Sequence, residues 1–353
     1  MYRPVLVRLA LCVGTLLFVL GEVAACGGGG AAEKKPTPDS PIASEPGWLA
    51  YQYQTDPDDL FSIKVHLVRV DGSNDHAIAT NLPGSIRHPD FSPDGSRLVF
   101  DQLSSEADRS QTYIAKADGS AAKRISQCKL PRCSDYWEPA WSPDGSRLAV
   151  STGAGPISET GPWPGPARFG IAIIDVNSEE VTHVLDNENA VGQNRFARWS
   201  PDGKRLVFYR ARAKSDGTIQ TAIFIVGVDG SNLRQLTPWD MLAGDPDWSP
   251  EGDLIVFSTH PLREFEALGR SELYTMRPDG SGIKALTSNG ENGPRATEPR
   301  WTPDGKAILY SRVTPEGTHR SIWAIDHTGR KDGPVLTKEP DYYTHPDLQP
   351  VSQ

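Results

Sequence analysis

The stretch EPAWSPDGSRLAVST, residues 138–152, decides the fold because the chain repeats it. Near copies are HPDFSPDGSRLVFDQ (88–102), FARWSPDGKRLVFYR (196–210), DPDWSPEGDLIVFST (245–259) and EPRWTPDGKAILYSR (298–312). The prolines of the shared turn lie 49 to 58 residues apart, at Pro93, Pro143, Pro201, Pro250 and Pro303. A recurrence of this length is typical of repeat architectures, in which each copy forms one supersecondary unit.

Each copy predicts two β-hairpins. In the Ser-Pro-Asp-Gly turn, proline sets φ at the second position, aspartate tolerates the third, and glycine accepts a left-handed backbone at the fourth. A second hairpin follows with an Asp-Gly-Ser turn, as in TAIFIVGVDGSNLRQLT (221–237). One unit therefore predicts four antiparallel strands, A to D, which is one blade of a β-propeller.

The two ends of the repeat region complete each other. HPDLQP (345–350) predicts a sixth strand A, whereas GWLAYQYQ (47–54) predicts a strand B with no strand A before it. We therefore expect the last strand to pair with residues 48–54, since closure removes the open sheet edges that promote aggregation. The predicted fold class is all-β: a six-bladed β-propeller of four-stranded antiparallel blades over residues 47–353, closed by the C-terminal strand pairing with the N-terminal blade.

The repeat W-S-P-D-G-x-x-[LI]-x-[FY], with its paired Asp-Gly-Ser turn, resembles the WD40-like PD40 repeat of the TolB-type propeller family. The resemblance extends over about residues 47–350, with five strong copies. It implies a propeller that binds ligands or ions at its central channel. Some relatives in this repeat class precede a hydrolase domain in peptidases, and lyases on related propellers hold a metal with histidines at the channel.

The N-terminus resembles a bacterial lipoprotein signal. Arg3 and Arg8 precede an apolar run, and EVAAC ends at Cys26. The resemblance implies that residues 1–25 are a signal peptide, that Cys26 is lipidated, and that residues 26–46 tether the propeller to a bacterial membrane. An ordinary signal peptide or a single anchor helix is the alternative. We expect an extracytoplasmic location, facing the periplasm or on the outer membrane, because Gly27 replaces the aspartate associated with inner-membrane retention.

The net charge limits the classes of partner, and the cysteines limit the kinds of covalent or metal site. The 353 residues include 36 Lys and Arg against 45 Asp and Glu, a net charge of −9, which argues against nucleic acid. We expect a monomer whose partner is a protein or peptide of the cell envelope. Cys128 and Cys133 predict a disulfide in an exported protein, since a zinc site would need two further ligands and no Cys-rich or His-rich segment supplies them.

The candidate site begins with six residues that each lie five positions before a turn proline or its C-terminal equivalent, Pro350: His88, Glu138, Phe196, Asp245, Glu298 and His345. The innermost strands of a propeller surround its channel, so these side chains are expected to converge. His88, Glu138, Asp245, Glu298 and His345 suit a divalent cation, although no cofactor is certain. They also suit a cationic side chain of a partner. Alternatively, each polar group caps its own loop or contacts water in the channel.

The B–C and D–A connections, such as the B–C connection over residues 209–220, are predicted to be long and to share one end of the propeller, where binding usually resides. The non-repeated aromatics Tyr136, Trp137, Trp163 and Trp239 are assigned to this ligand face, together with the loop of Cys128 and Cys133. Four tryptophans at one repeat position are expected to pack between neighbouring blades: Trp141, Trp199, Trp248 and Trp301.

The sequence predicts a membrane-tethered extracytoplasmic binding or scaffolding module that engages a protein or peptide on the long-loop face and channel mouth. The alternative is a metal-dependent lyase or hydrolase with its site at the channel mouth. G-x-S-x-G, H-E-x-x-H, P-loop and dinucleotide motifs are absent from the sequence. No catalytic residue is therefore assigned, and enzymatic activity stays open with binding favoured.

Overall fold

The computed structural model describes residues 40–42, 47–56, 59, 61–104, 109–125, 135–153, 169–185, 192–259, 271–290, 293–317, 319–336 and 342–350. All of them belong to one compact unit, residues 33–353. Within these ranges the chain forms β-strands and a short 3₁₀ helix, Trp239–Met241, and no helix there is long and apolar enough to span a bilayer. The predicted signal peptide, Cys26, Trp163 and the predicted Cys128–Cys133 disulfide lie outside the described residues.

Four sheets have four antiparallel strands each. The first contains β1 (Trp48–Gln54), β2 (Ile63–Arg69), β3 (His76–Ala77) and β24 (Tyr343–Leu348). The second contains β4 (Ser85–Phe91), β5 (Arg97–Ser104), β6 (Arg109–Lys116) and β7 (Lys123–Arg124). The third contains β16 (Ala243–Trp248), β17 (Ile255–Thr259), β18 (Leu273–Met276) and β19 (Lys284–Ala285). The fourth contains β20 (Arg295–Trp301), β21 (Ala307–Val313), β22 (Arg320–Asp326) and β23 (Asp332–Leu336).

The remaining strands form one eight-stranded sheet. Its strands are β8 (Asp135–Trp141), β9 (Arg147–Gly153), β10 (Phe169–Asp175), β11 (Val181–Leu185), β12 (Gln193–Trp199), β13 (Arg205–Ala213), β14 (Ile219–Gly227) and β15 (Arg234–Gln235). β10 and β12 pair in parallel at one position, Phe169 opposite Gln193, and the other pairs are antiparallel. The structure thus shows four separate four-stranded blades and one larger sheet where the sequence predicts six separate blades.

The predicted pairing of the chain ends is confirmed. β24 lies antiparallel to β1 as the first strand of its sheet, with Leu49 opposite Leu348 and Gln52 opposite Thr344. A core of buried apolar side chains surrounds this junction, and Leu348 is 4% exposed. Because β24 comes from the last residues and β1 from the first, burial of this core requires both ends of the repeat region.

The Ser-Pro-Asp-Gly segments form the tight turns that their residue types predict. In the second sheet the Gly95 N–H donates to the Ser92 carbonyl at 2.8 Å, with Gly95 at a φ of 67°. The Ser92 hydroxyl accepts the Arg97 N–H at 2.9 Å and donates to Asp94 at 2.5 Å. The repeat therefore encodes its turn locally, through glycine and two short side chains.

The long B–C connection predicted over residues 209–220 is wrong in extent. β13 continues to Ala213 and β14 begins at Ile219, so the described connection is five residues, 214–218. Arg212 pairs with Gln220 in regular antiparallel register despite the polar sequence. Strand formation there follows pairing with a neighbour more than intrinsic residue preference.

The inter-blade role predicted for the repeated tryptophans is confirmed. All four are 5–7% exposed. The indole of Trp141 donates to the Asp90 carbonyl of the preceding sheet at 3.1 Å, and the Arg97 guanidinium lies 4.3 Å from its ring centroid. The indole of Trp199 makes the same bond to Ala140 at 3.1 Å.

Candidate functional site

A β-bulge occurs at the same repeat position in six inner strands. In β4, Arg87 lies opposite Asp101 and Asp90 opposite Val99, so two residues, His88 and Pro89, face the single residue Phe100. The corresponding register shifts occur in β8, β12, β16 and β20, and in the pairing of β24 with β1. Each bulge holds a non-glycine residue with φ between 49° and 56°: His88, Glu138, Phe196, Asp245, Glu298 and His345. A bulge redirects its side chain, at an expense of about 1–2 kcal/mol for the left-handed backbone.

We call these six residues the collar. Their side chains are buried, with 2–9% of each residue exposed. Three collar rings meet: the His88 and His345 centroids are 4.8 Å apart, and Phe196 lies 5.4 Å from His88 and 5.7 Å from His345. Phe196 and His345 belong to different sheets. The expected convergence is therefore present for these three, and their rings fill the space between the inner strands.

The collar carboxylates are engaged within the protein. Glu138 accepts the Ser151 hydroxyl at 2.7 Å and the Phe196 N–H at 3.1 Å, and it pairs with Arg195. Glu298 accepts the Ser311 hydroxyl at 2.8 Å and the His345 N–H at 3.1 Å. Each glutamate thus accepts the backbone N–H of the next collar residue along the chain, which a bulge leaves outside the strand ladder.

Next to His88 the same role belongs to Asp101 of β5. Its carboxylate contacts His88 Nδ1 at 2.5 Å, accepts the Glu138 N–H at 3.2 Å, and pairs with Arg87 at 2.8 Å. Burial raises the pKa of Asp101, but the charges of Arg87 and His88 outweigh burial and hold that pKa well below its usual range. Asp101 is therefore ionised, and it fixes the His88 ring.

Asp245 differs from the other collar carboxylates. Its main side-chain contact is the Ser258 hydroxyl at 3.1 Å. Burial, followed by the charge of Glu298, raises the pKa of Asp245 to about 7. At neutral pH this carboxyl is thus divided between its protonated and ionised forms.

The divalent cation stays a prediction. Among the described residues, no group of three or more His, Cys, Asp or Glu side chains has the placement that a metal ion requires. The carboxylates of Glu138 and Glu298 instead accept the protein's own N–H and hydroxyl groups. The two glutamates thus cap the N–H of the next collar residue, whereas the sequence left open the capping of each residue's own loop.

A second set of residues lies two positions after each collar residue, and we call its charged members the inner tier: Asp90, Arg198, Asp247, Arg300 and Asp347. Arg198 lies 2.7 Å from Asp90, and both belong to inner strands. Asp90 accepts the Trp141 N–H at 2.8 Å, and Asp247 and Asp347 accept the corresponding N–H groups of Trp301 and Phe91 at 2.8 and 2.7 Å.

The inner tier has an excess of carboxyl groups. Burial raises the pKa of Asp90, Asp247 and Asp347, to about 7 for Asp247, and Arg198 only partly offsets this rise. Within the described part of the chain, neither Asp247 nor Asp347 has an ion-pair partner. The sequence analysis missed this tier, although each of its members is the residue directly before the repeated aromatic or leucine of strand A.

The aromatic residues predicted to lie on the long loops occupy different kinds of structural element. Tyr136 and Trp137 belong to strand β8, so their assignment to the preceding loop is wrong. Trp137 is 5% exposed and packs edge-on against Phe169, with centroids 4.9 Å apart. Trp239 does lie in a D–A connection, half-buried, with the Arg212 guanidinium 3.8 Å from its ring centroid.

Comparison with known proteins gives the family. The model of the TolB beta propeller domain (PD40) matches residues 166–350, just over half of the chain. An uncharacterized protein of Agrobacterium fabrum strain C58 is 29% identical over 230 residues, which are 64% of this chain and 69% of that protein. The Tol-Pal system protein TolB of Rhizorhabdus wittichii is 37% identical over 62 residues, 18% of this chain and 13% of that protein.

The fold agrees with this assignment. The crystal structure of TolB from Acinetobacter baumannii superposes with a TM-score of 0.63 at 18% identity, over 86% of this chain and 67% of that one. At this identity the superposition supports the propeller fold alone. Taken with the family match, the repeats and the four-stranded sheets, it leads to one conclusion: the chain belongs to the TolB β-propeller domain family.

Proposed function

We propose that this protein is a membrane-tethered, extracytoplasmic binding or scaffolding module that engages a protein or peptide ligand at the channel mouth and long-loop face of a six-bladed propeller. The single observation that carries the proposal is the inner tier. There, the three carboxyl groups of Asp90, Asp247 and Asp347 outnumber the guanidinium groups of Arg198 and Arg300, and burial raises the pKa of each carboxyl group. A cationic side chain of a ligand would supply the missing positive charge.

The count of six blades rests on the eight-stranded sheet. Its halves, β8 to β11 and β12 to β15, each repeat the A–B–C–D order and meet at one residue pair, Phe169 and Gln193. Each half also has its own collar bulge, at Glu138 and Phe196. We therefore treat each half as one blade.

The ligand face combines the channel with aromatic groups at the long connections. Trp239 and Arg212 stack at 3.8 Å, and both are half-buried, so part of each remains available to a partner. Aromatic and arginine side chains dominate the energetics of protein interfaces. This pair would therefore contribute to contact with a ligand on the long-loop face.

The test compares two matched losses of charge. Asp247→Asn with Asp347→Asn keeps the oxygen acceptors for the Trp301 and Phe91 N–H groups but removes the inner-tier charge. Asp279→Asn with Asp229→Asn removes the same charge from exposed Asp-Gly-Ser turns. Each tagged full chain is cross-linked in an envelope extract, and the affinity for a fluorescent lysine-containing peptide is measured by anisotropy.

The wild type and the turn variant should each capture one dominant polypeptide and bind the lysine peptide. The channel variant should bind that peptide about tenfold more weakly, because a buried charged contact contributes about 1.5–3 kcal/mol. Equal binding by both variants, or equal binding of a glutamate peptide, would contradict the proposal.

The tether is a separate part of the proposal. Cys26 follows a signal-like segment, and the tract after it is rich in glycine and then proline, a composition suited to a flexible spacer. Mass spectrometry of the mature N-terminus should find a lipid-modified Cys26, and Cys26→Ser should move the protein from the membrane to the soluble fraction. Membrane association that survives this substitution would overturn the lipid anchor.

A further inference from the structure

The outer seams between neighbouring sheets are closed by glycine turns. A Cβ added at Gly280 would lie 2.9 Å from the carbonyl oxygen of Leu236, in the preceding sheet. The corresponding distances are 2.4 Å from Gly119 to Ile78, 3.0 Å from Gly230 to the Val184 oxygen, and 2.9 Å from Gly329 to the Leu286 oxygen. In these four seams the turn between strands C and D packs so tightly that a side chain would not fit.

One seam lacks this glycine. The turn between β10 and β11 reads Asp-Val-Asn-Ser-Glu, residues 175–179, and Glu179 occupies its left-handed position with φ 57°. The residue equivalent to Ile78 and Leu236 in the preceding sheet is Ile125. Ile125 and Val176 pack in one apolar cluster, and both line a cavity of about 270 Å³ beside this turn.

The cavity has an apolar floor and a cationic rim. Ile114, Ala115, Ile125 and Val176 contribute apolar surface. Four basic side chains line it against one acidic side chain, and they are Arg97, Lys116, Lys123 and Arg124 against Glu179. This excess of positive charge lies on a chain whose net charge is −9.

The rim is partly fixed in place. The Arg97 guanidinium donates to the Gly145 carbonyl at 2.8 Å and lies 4.3 Å from the Trp141 ring centroid. Lys123 reaches from the second sheet to Glu179 across the seam, 3.3 Å away, and its side chain is 82% exposed. An exposed pair of this kind contributes little to stability, so a ligand anion can replace Glu179 as the partner of Lys123.

The geometry points to a binding site for a small organic anion, a carboxylate with an apolar body of roughly benzoate size. The carboxylate would contact Lys123 and its cationic neighbours, and the apolar body would cover the half-buried side chains of Ile114 and Val176. Small-molecule sites characteristically combine such an apolar lining with a few polar groups that orient the ligand. This site is on the outer seam, so it does not depend on the function proposed for the channel.

The test uses benzoate as the probe and the purified full chain, by ligand-observed NMR and calorimetry. Benzyl alcohol presents the same ring without charge, and inorganic phosphate presents charge without a ring. Benzoate should bind at least about tenfold more tightly than either, because each lacks one of the two contacts. Absence of benzoate binding, or equal binding of phosphate, would overturn the assignment.

Two substitutions at one repeat position provide the matched control. Lys123 in β7 and Lys284 in β19 are equivalent and exposed, and Lys284 does not line this cavity. Lys123→Glu should weaken benzoate binding about two- to fivefold, whereas Lys284→Glu should leave it unchanged. Glu179→Gln should strengthen binding by a similar factor, and equal effects of the two lysine variants would refute the site.

Discussion

The inner tier lies two residues after the collar on five of the same six strands, yet the two sets use charge differently. In the collar, Glu138 has a cation and two donors from the protein, and Glu298 accepts the N–H of the next collar residue. In the inner tier, Asp247 and Asp347 each accept a neighbouring N–H but, among the described residues, have no ion-pair partner. The difference indicates that the collar carboxylates link neighbouring inner strands, whereas Asp247 and Asp347 are carboxyl groups whose ionised form burial disfavours.

The largest expected effect tests the structural role of the collar. Glu138→Ala should lower the free energy of unfolding by about 3–5 kcal/mol, because it removes the buried carboxylate that pairs with the half-buried Arg195 and accepts the Phe196 N–H. Urea denaturation monitored by tryptophan fluorescence measures this change.

The matched control is Glu251→Ala, in an exposed turn, which should change the same free energy by less than about 0.5 kcal/mol. A loss below about 1 kcal/mol for Glu138→Ala would mean that the collar does not hold adjacent blades together, and the contrast between the two tiers would fail.

A smaller effect tests the uncompensated charge of the inner tier. Burial raises the pKa of Asp247 to about 7, whereas the same group in the unfolded chain ionises near its ordinary value of 3.8. Between these values the folded state binds more protons, so this group should make the free energy of unfolding fall as pH rises from about 4 to about 7. Below that window both states are protonated, and above it both are ionised.

Asp247→Asn should remove this contribution and gain about 1–3 kcal/mol relative to the wild type between pH 4 and 7.5, after allowance for the partial exposure of Asp247. Denaturation curves at several pH values provide the measurement. The control is Asp94→Asn, since the Ser92 hydroxyl, followed by Ser96, lowers the pKa of Asp94 to about 2. That substitution should give no relative gain over this window, and parallel pH profiles for wild type and Asp247→Asn would contradict the electrostatic account.

The architecture was predictable because its information is local and repeated. The Ser-Pro-Asp-Gly turns, the four-strand unit, the pairing of β24 with β1 and the buried tryptophans all follow from residue types at fixed spacing. Five residues before each turn proline, the sequence also identifies the collar. Turn chemistry and repeat period therefore determine which residues occupy the innermost strands.

The chemistry of those positions was less predictable. A bulge depends on the register of two strands, so the left-handed φ of Glu138 and the engagement of its carboxylate by the next strand were not visible in the sequence. Contact between Phe196 and His345 requires two strands from different sheets. Raised pKa values at Asp245 and Asp247 arise from burial, which a residue pattern does not measure.

The prediction with the smallest expected effect compares the stability of variants at two tryptophans next to the inner tier. Trp301 follows a sheet that offers Asp247, whose carboxylate accepts the Trp301 backbone N–H at 2.8 Å, while its indole N–H has no partner among the described residues. Trp199 follows a sheet in which Ala140 replaces the carboxylate, and the Trp199 indole donates to the Ala140 carbonyl at 3.1 Å. The Trp301 backbone N–H thus makes the hydrogen bond across one seam, and the Trp199 indole N–H makes it across the other.

Phenylalanine at either position removes the same volume from an equally buried site, so the difference between the variants isolates the indole hydrogen bond. Trp199→Phe should lower the free energy of unfolding by about 1 kcal/mol more than Trp301→Phe, the typical net contribution of one hydrogen bond. Urea denaturation of the two single variants at constant pH measures this difference. Equal losses of unfolding free energy would show that the Trp199 indole hydrogen bond contributes nothing to stability. Apolar packing alone would then hold the seam between Trp199 and Ala140 together.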